Sequence, residues 1–450
     1  MNSLLVESNG LKYQGYEQKE SLIWRGVPYA TTRRFEKPEK YLPEGYPENN
    51  IIDCNEEIEA YQLSAFLNEN EREFSFYSKE FRTDRKGRLI KYADSPMTLN
   101  IITPKEGGNY PVFVFIHGGG FETGTVGETP YGYTEEYAKR GVILVSIGYR
   151  LNVFSYYNNM NLGLFDQDFA IRWVYDNIAN FGGNKEQIII GGQSAGAMST
   201  IDLLLTKRLE GIVKGAIVMS GAGPLPKFAG PRGLEEQKWY WEKIEEKAGC
   251  HSLEDMKNVD PEILWKAYYE ARKEKCPLFL QQPGIDGEII PMQPLECLKK
   301  KIDLDVPVIL GVTGQDFMPL VIYIFALNWA KNHAKRGMSP IYGYFFDKTP
   351  PGGDYKAFHA VDLWYVFGNM DKCWRGFKND DEALKDEICD YFANFVKTLN
   401  PNSDGLPLWN PVTKKFKGFR YFNGLNDGHI MPGKAKRLHL KVLLKDHGPM

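Results

Sequence analysis

Gln187-Ile-Ile-Ile-Gly-Gly-Gln-Ser194-Ala-Gly-Ala-Met198 is the stretch from which the architecture is most directly inferred. The three isoleucines are typical of a short buried strand, and the small residues after Ser194 favour a helix. Glycines at positions 192 and 196 lack the Cβ atoms that would collide with neighbouring backbone in a tight strand-to-helix turn. A serine at such a turn projects its hydroxyl above the sheet, so Ser194 is the candidate nucleophile.

Short apolar runs, each followed by a glycine-marked turn or a helix-like stretch, recur on both sides of Ser194. The other apolar runs lie at residues 112–116, 142–147, 216–219, 306–312 and 342–346, and residues 165–178 have helical spacing. Strands that alternate with helices are typical of a parallel sheet with both faces covered. We therefore predict an α/β fold with a central, mostly parallel, twisted sheet flanked by helices.

Two stretches, residues about 55–90 and about 225–300, interrupt this alternation. Both are rich in polar or charged residues, and the second has long helix-like segments. Neither has the Pro, Ser and Gly composition of a flexible linker. We therefore expect one domain over residues 1–450, in which these two stretches are helical cap insertions that form the rim of a pocket.

A run of glycines, His117-Gly118-Gly119-Gly120-Phe121, follows the apolar run at 112–116. Consecutive glycines let backbone N–H groups turn toward one point, where a tetrahedral intermediate would place its negative oxygen. A loop of this kind upstream of a nucleophilic serine supplies oxyanion-hole amides. The sequence predicts that these amides belong to Gly119 and Gly120, joined by that of Ala195.

A nucleophilic serine needs a histidine base and a carboxylate, in the chain order serine, acid, histidine. His359 follows the last predicted core strand and precedes an aromatic helix, so it is the candidate base. Asp316, just past the end of a strand, is the preferred acid. Two alternatives stay open: Asp286, whose turn makes capping of its own backbone the simpler role, and Asp362, three residues after the histidine.

Composition excludes several classes of partner. The 55 basic and 58 acidic residues give a net charge of −3, which leaves no basic surplus for a nucleic-acid backbone. The six cysteines have no CxxC or metal-site spacing. No run approaches the roughly 18 apolar residues of a membrane span, and the first residues do not resemble a secretion signal. We expect a cytoplasmic protein without metal, cofactor or membrane partner; nothing in the sequence indicates its oligomeric state.

Ordered motifs along most of the chain resemble the type-B carboxylesterase family of α/β-hydrolases, which includes cholinesterases and bacterial para-nitrobenzyl esterases. These motifs include residues 24–30, 99–104, 148–151, 161–167, 181–184, 286–291 and 391–398. The resemblance implies an α/β-hydrolase fold and a small-molecule ester substrate. It also implies ester hydrolysis through an acyl-enzyme on Ser194, with His359 as base and Asp316 as acid.

Two residues depart from the family pattern at the implied site. The family usually has glutamate as its acid, whereas Asp316 is one methylene shorter. The residue before the serine is usually glutamate and is Gln193 here, which removes a negative charge beside the nucleophile. Two further pairs, Arg150 with Asp166 and Arg34 with Asp94, resemble structural ion pairs of the family.

Two alternative functions remain open at this point. An enzyme with the same catalytic residues could cleave an amide, a carbamate or a hydroxycinnamoyl ester, because aromatic residues near the motifs permit an aromatic pocket. The fold also serves as a non-catalytic binding module in proteins that have lost the serine. The joint presence of the serine, the histidine, a carboxylate and the glycine loop favours the esterase.

Overall fold

An 11-stranded sheet forms the centre of the computed structural model. The structure describes residues 4–41, 51–55, 57–62, 76–81, 90–225, 230–274, 283–353, 355–415, 418–423 and 429–430. The strands of the described residues, in this sheet and in smaller ones, are β1 (Leu5–Ser8), β2 (Leu11–Gln14), β3 (Tyr16–Gln18), β4 (Ser21–Pro28), β5 (Ala30–Thr31), β6 (Glu39–Lys40), β7 (Ile51–Asp53), β8 (Glu57–Ala60), β9 (Ile90–Ala93), β10 (Thr98–Pro104), β11 (Tyr110–Ile116), β12 (Ile143–Ile147), β13 (Gly183–Gln193), β14 (Val213–Met219), β15 (Val308–Thr313), β16 (Ile341–Phe346), β17 (Phe419–Phe422) and β18 (His429–Ile430).

The order of strands in the large sheet is β18-β17-β16-β15-β14-β13-β11-β12-β10-β4-β3. Neighbouring strands from β12 to β17 pair in parallel, and antiparallel pairs occur toward both edges. The predicted apolar runs coincide with strands of this parallel centre. The prediction of a mostly parallel sheet is therefore confirmed.

Helices cover both faces of the sheet. They are α1 (Phe76–Phe81), α2 (Glu136–Lys139), α3 (Asn152–Tyr156), α4 (Leu162–Asn177), α5 (Ala195–Leu204), α6 (Leu234–Ala248), α7 (Leu253–Asn258), α8 (Pro261–Lys273), α9 (Pro294–Lys300), α10 (Pro319–Arg336), α11 (Leu363–Phe367) and α12 (Asn379–Thr398). Within the part of the chain that is described, none of them is both long and apolar enough to cross a membrane.

Strand β11 shows why both faces are covered. Val112, Val114 and Ile116 belong to the apolar cluster on one face of the sheet, and Phe113 and Phe115 belong to the cluster on the other. Successive side chains of a strand point to opposite faces, so an uninterrupted apolar run needs packing on both. Helices α4, α5 and α10 supply the first cluster, and α2, α11 and α12 supply the second.

The two stretches that interrupt the alternation differ in structure. Helices α6 to α9 occupy most of the described residues between 230 and 300. Apolar side chains of α6, α7 and α8 form a third cluster with Phe121 and Ala195, whereas α9 packs into the first cluster. In the earlier stretch, β8 pairs in parallel with β9, and α1 is a short helix. Residues 56, 63–75 and 82–89 of this stretch lie outside the described residues. The earlier insertion thus contains strand as well as helix.

Candidate active site

Ser194 lies at the turn between β13 and α5, with a backbone φ of 55° and ψ of −121°. This combination of φ and ψ is sparsely populated by residues other than glycine and stores strain of about 1–3 kcal/mol, which is often retained at functional sites. Close packing of the neighbouring glycines fixes the turn. A Cβ on Gly196 would lie 2.0 Å from the Ile116 carbonyl oxygen, and one on Gly192 would lie 2.4 Å from the Gly196 carbonyl carbon. The candidate nucleophile therefore occupies the strained turn that its sequence predicted.

Asp316 and His359 are joined by a buried hydrogen bond. The Nδ1 atom of His359 lies 2.6 Å from Oδ1 of Asp316, and both residues are at most 6% exposed. The Phe317 N–H also donates to Oδ1 at 2.9 Å, and the Thr313 hydroxyl donates to Oδ2 at 3.0 Å. These contacts orient the carboxylate, which in turn fixes the orientation of the imidazole ring.

The ionised form of Asp316 is favoured although the residue is buried. Burial opposes ionisation, but the neighbouring His359 and the hydrogen bonds to the carboxylate outweigh it, so the pKa of Asp316 lies below its usual value. An ionised acceptor at Nδ1 leaves the other ring nitrogen, Nε2, as the site that can accept a proton.

The other two candidate acids have different partners. The Oδ1 atom of Asp286 accepts the backbone N–H groups of Glu288 and Ile290, as the turn-capping alternative requires. Asp362 accepts the Tyr344 hydroxyl at 2.6 Å, and burial raises the pKa of Asp362 to about 6. Of the three carboxylates considered from the sequence, Asp316 is the one hydrogen-bonded to His359.

Gln193 contacts the other side of the His359 ring. Its Nε2 atom lies 3.1 Å from Nε2 of His359, and the glutamine is 4% exposed. With Nδ1–H directed at Asp316, this amide donates to the histidine lone pair. The contacts among the described residues include no hydrogen bond between Ser194 and His359. Sequence reasoning assigned Gln193 only a missing charge and missed this contact, although its place beside the serine was a signal.

The glycine loop lies directly against the Ser194 turn. A Cβ on Gly118 would lie 2.7 Å from the Gln193 carbonyl oxygen and 3.2 Å from Cβ of Ser194. Gly119 has a φ of 109° and Gly120 a φ of 64°, conformations that L side chains rarely adopt.

The three backbone amides predicted for the oxyanion hole are free to donate. Among the described residues, the N–H groups of Gly119, Gly120 and Ala195 have no acceptor. Ala195 is the first residue of α5, where N–H groups have no partner within the helix and the helix dipole favours negative charge. Such donors can stabilise an oxyanion near Ser194.

Glu122 connects the glycine loop to the helical insertion. Its carboxylate accepts the Arg272 guanidinium at 2.5 Å and the Tyr268 hydroxyl at 3.2 Å, both from α8. Burial raises the pKa of Glu122 to about 7, although Arg272 and Tyr268 oppose the shift. The residue after Phe121 therefore anchors α8 beside the site.

The described residues contain no group of three or more histidine, cysteine, aspartate or glutamate side chains arranged to hold a metal ion. What the site does contain is a serine on a strained turn, a histidine paired with a buried carboxylate, and a set of free backbone amides. This combination can perform nucleophilic attack with general acid–base catalysis.

Comparisons with known proteins agree with this chemistry. A model described as the carboxylesterase family matches residues 9–328 and 320–424. The chain is 30% identical over 407 residues to the cAMP-regulated D2 protein of Dictyostelium discoideum, covering 72% of this chain and 74% of that protein. It is 26% identical to the para-nitrobenzyl esterase of Bacillus subtilis (strain 168), covering 92% of this chain and 94% of the esterase.

The fold is similar to that of a solved esterase over nearly its whole length. The structure of a thermophilic PNB esterase superposes with a TM-score of 0.81 at 23% sequence identity, covering 97% of this chain and 99% of that one. At this identity the superposition shows that the two chains share a fold, which here is the mostly parallel sheet with its flanking helices.

Proposed function

The chain belongs to the carboxylesterase family of α/β-hydrolases and is a carboxylic ester hydrolase, and we propose that it cleaves esters through a Ser194–His359–Asp316 triad. The resemblance inferred from the sequence motifs and the predicted fold class are thereby confirmed. The acyl-enzyme mechanism and the residues assigned to it are the proposal.

One observation carries the proposal: the buried 2.6 Å hydrogen bond between His359 and Asp316, with His359 placed against the residue that precedes Ser194. A carboxylate at Nδ1 leaves Nε2 as the basic nitrogen and stabilises the imidazolium that forms when a proton is taken. Ser194 directly follows Gln193 on the strained turn, so its backbone lies close to the His359 ring. This arrangement supports His359 as the base for Ser194.

Acylation begins when Nε2 of His359 takes the proton of the Ser194 hydroxyl. The Gln193 amide occupies that nitrogen in the free enzyme, so its side chain must turn aside as the serine engages the base; catalytic hydrogen bonds often tighten only when substrate binds. The serine oxygen attacks the ester carbonyl, and the N–H groups of Gly119, Gly120 and Ala195 donate to the resulting oxyanion.

Collapse of the tetrahedral intermediate releases the alcohol, to which His359 returns the proton. Water, deprotonated by the same histidine, then attacks the acyl-enzyme. The acyl group leaves as the carboxylic acid, and His359 returns the proton to the Ser194 oxygen. The likeness to a protein named a para-nitrobenzyl esterase supports an ester as the substrate rather than an amide. We place the bound ester between the Ser194 turn and helices α6 to α8, whose apolar cluster includes Phe121 and Ala195.

Hydrolysis of p-nitrophenyl acetate by a Ser194→Ala variant tests the proposal. We expect the variant to fold normally and to lose about 10⁶-fold in kcat, as removal of a nucleophilic serine does. Ser199→Ala, which alters a buried serine one turn along α5, is the matched control and should retain activity. Normal turnover by folded Ser194→Ala would contradict the proposed nucleophile.

A further inference from the structure

Helix α10 exposes an apolar face that begins beside the proposed base. Four apolar side chains are among those most exposed to solvent in the described residues: Phe317 at 51%, Met318 at 44%, Val321 at 37% and Ile324 at 43%. We call these four residues the apolar strip. Single exposed apolar residues are common on protein surfaces, but a contiguous set usually marks a binding site.

Helical geometry places the apolar strip on one side of α10. Val321 and Ile324 are three residues apart and so lie on the same face of the helix, and Phe317 and Met318 directly precede its first turn. The opposite face, which includes Tyr323 and Ala326, packs into the core. The strip is therefore a surface separate from the core-facing side of α10.

Charge is absent along this surface. Residues 317–330 contain no acidic or basic side chain, and the first charged residue of α10 is Lys331. A helix face turned toward water usually carries charged residues opposite its core-facing side. A charge-free face of this kind favours an apolar ligand over a charged partner.

The strip is continuous with the proposed catalytic centre. The Phe317 ring lies 4.3 Å from the His359 ring, centroid to centroid, and Phe317 directly follows Asp316. In the proposed mechanism the leaving alcohol accepts its proton from His359, so the alcohol oxygen must lie next to that ring. A group attached to this oxygen can extend from the imidazole over Phe317 and along α10.

From these contacts we infer that the apolar strip binds the aliphatic alcohol part of the ester, and that the enzyme prefers esters of medium-length alkyl alcohols. The inference rests on the proposed esterase function and assigns it a substrate class. Val321 and Ile324 are specificity-determining residues in this scheme, because they contact the alkyl chain and not the reacting atoms.

Hydrolysis of ethyl acetate and octyl acetate, followed by pH-stat titration below the solubility limit of each ester, tests the inference. The wild-type enzyme should have a higher kcat/KM for octyl acetate. A Val321→Asn/Ile324→Asn double variant should lose about five- to ten-fold in kcat/KM for octyl acetate, mostly through KM, and stay within about two-fold for ethyl acetate. Ile51→Asn, which alters an exposed isoleucine on β7, is the matched control and should leave both values unchanged.

Three results would overturn the inference. The first is an octyl-to-ethyl ratio that the double variant leaves unchanged. The second is a loss confined to long acyl chains, measured with p-nitrophenyl octanoate against p-nitrophenyl acetate, which would assign the strip to the acyl group. The third is a change in molecular mass on size-exclusion chromatography without a change in chain preference, which would make the strip an interface between protein chains. In each case Ser194-dependent acetate hydrolysis persists, so the failure is distinct from failure of the proposed function.

Discussion

Asp316 reaches His359 at 2.6 Å although its side chain is one methylene shorter than the glutamate usual in the family. The backbones of the two loops lie close enough together to compensate for the shorter side chain. Gln315 and Phe358, the residues immediately before the pair, form a parallel bridge in which the Gln315 N–H donates to the Ala357 carbonyl at 2.7 Å. Because this bridge draws the two loops together, the shorter carboxylate forms a short hydrogen bond rather than a weakened one.

Replacing Asp316 by asparagine should lower kcat for p-nitrophenyl acetate by about 10⁴-fold. The amide keeps the shape of the side chain but can donate a proton to Nδ1, which stabilises the wrong tautomer of His359. Asp286→Asn, in which a turn-capping carboxylate is changed, is the control and should stay within about two-fold of wild type. The acid is misassigned if Asp286→Asn is the inactive variant and Asp316→Asn is not.

Gln193→Glu should shift the activity of the enzyme toward higher pH. The glutamine amide donates to Nε2 of His359, whereas a carboxylate cannot donate to a neutral imidazole and stabilises the protonated ring. We expect the acidic limb of the kcat/KM profile to move upward by about one pH unit. The measurement is the pH dependence of p-nitrophenyl acetate hydrolysis between pH 5 and 9.

A neutral substitution at residue 193 distinguishes the effect of the added charge from the effect of losing the hydrogen bond. Gln193→Leu removes the donor to the neutral ring without adding a charge, so its acidic limb should move upward by less than that of Gln193→Glu. Identical profiles for Gln193→Glu and the wild type would mean that residue 193 does not act on the protonation of His359.

At the scale of elements, a buried ion pair fixes the loop after β12 to helix α4. Arg150 and Asp166 form two hydrogen bonds between their side chains, of 2.8 and 2.6 Å, and both side chains are fully buried. Arg150 also donates to the Glu36 carbonyl oxygen at 2.6 Å. The pair expected from the sequence is present, as is the Arg34–Asp94 pair at 2.7 Å.

Asp166→Ala should lower the free energy of unfolding by about 3–5 kcal/mol, because it leaves the Arg150 guanidinium buried without a counter-charge. Glu288→Ala is the matched control, since it breaks an ion pair with Lys37 whose partners are 52% and 53% exposed. That change should cost no more than about 1 kcal/mol. Urea denaturation of both variants checks the difference; equal losses would contradict a structural role for the buried pair.

The sheet was the part of the fold that could be predicted from sequence, because strands buried on both faces are uninterrupted apolar runs. The run at 187–190 marks the centre of β13, which extends from Gly183 to Gln193. The sequence did not predict the antiparallel edge strands or the pairing of β8 with β9, because short half-buried strands have no comparable pattern.

The candidate site was only partly accessible to sequence reasoning. Local rules located Ser194 and the glycine loop, since both depend on the steric requirements of neighbouring residues. The choice among three carboxylates remained open because it depends on the distance between loops that are far apart in the chain. The contact between Gln193 and His359 spans 166 residues and depends on a side-chain conformation. The place of Gln193 beside the serine indicates that it lies at the site, but no local pattern identifies its partner.

At the scale of the whole molecule, buried carboxyl groups should make stability depend on pH. Burial, assisted by the charge of Asp286, raises the pKa of Asp202 on α5 from 3.8 to about 8. The folded state therefore holds a proton that the unfolded state releases above pH 3.8. The stabilisation is complete below that pH and is progressively lost as the pH rises to about 8.

Asp202→Asn should remove this part of the pH dependence, because asparagine resembles the protonated carboxyl and does not titrate. Relative to wild type, the variant should gain up to about 1.4 kcal/mol of unfolding free energy per pH unit between pH 5 and 8. Denaturation at pH 5, 6, 7 and 8 measures the trend, with the surface change Asp404→Asn as a control. Parallel stability curves for wild type and Asp202→Asn would contradict it.

Mass spectrometry of the protein after reaction with a fluorophosphonate tests most directly whether the folded chain presents an activated serine. These reagents phosphonylate the hydroxyl of a serine whose proton a neighbouring base can accept. We predict a single adduct, located on the peptide that contains Ser194, and no adduct on the Ser194→Ala variant. Folded protein that stays unlabelled, or that carries its adduct on another residue, would contradict the catalytic role assigned to Ser194, His359 and Asp316.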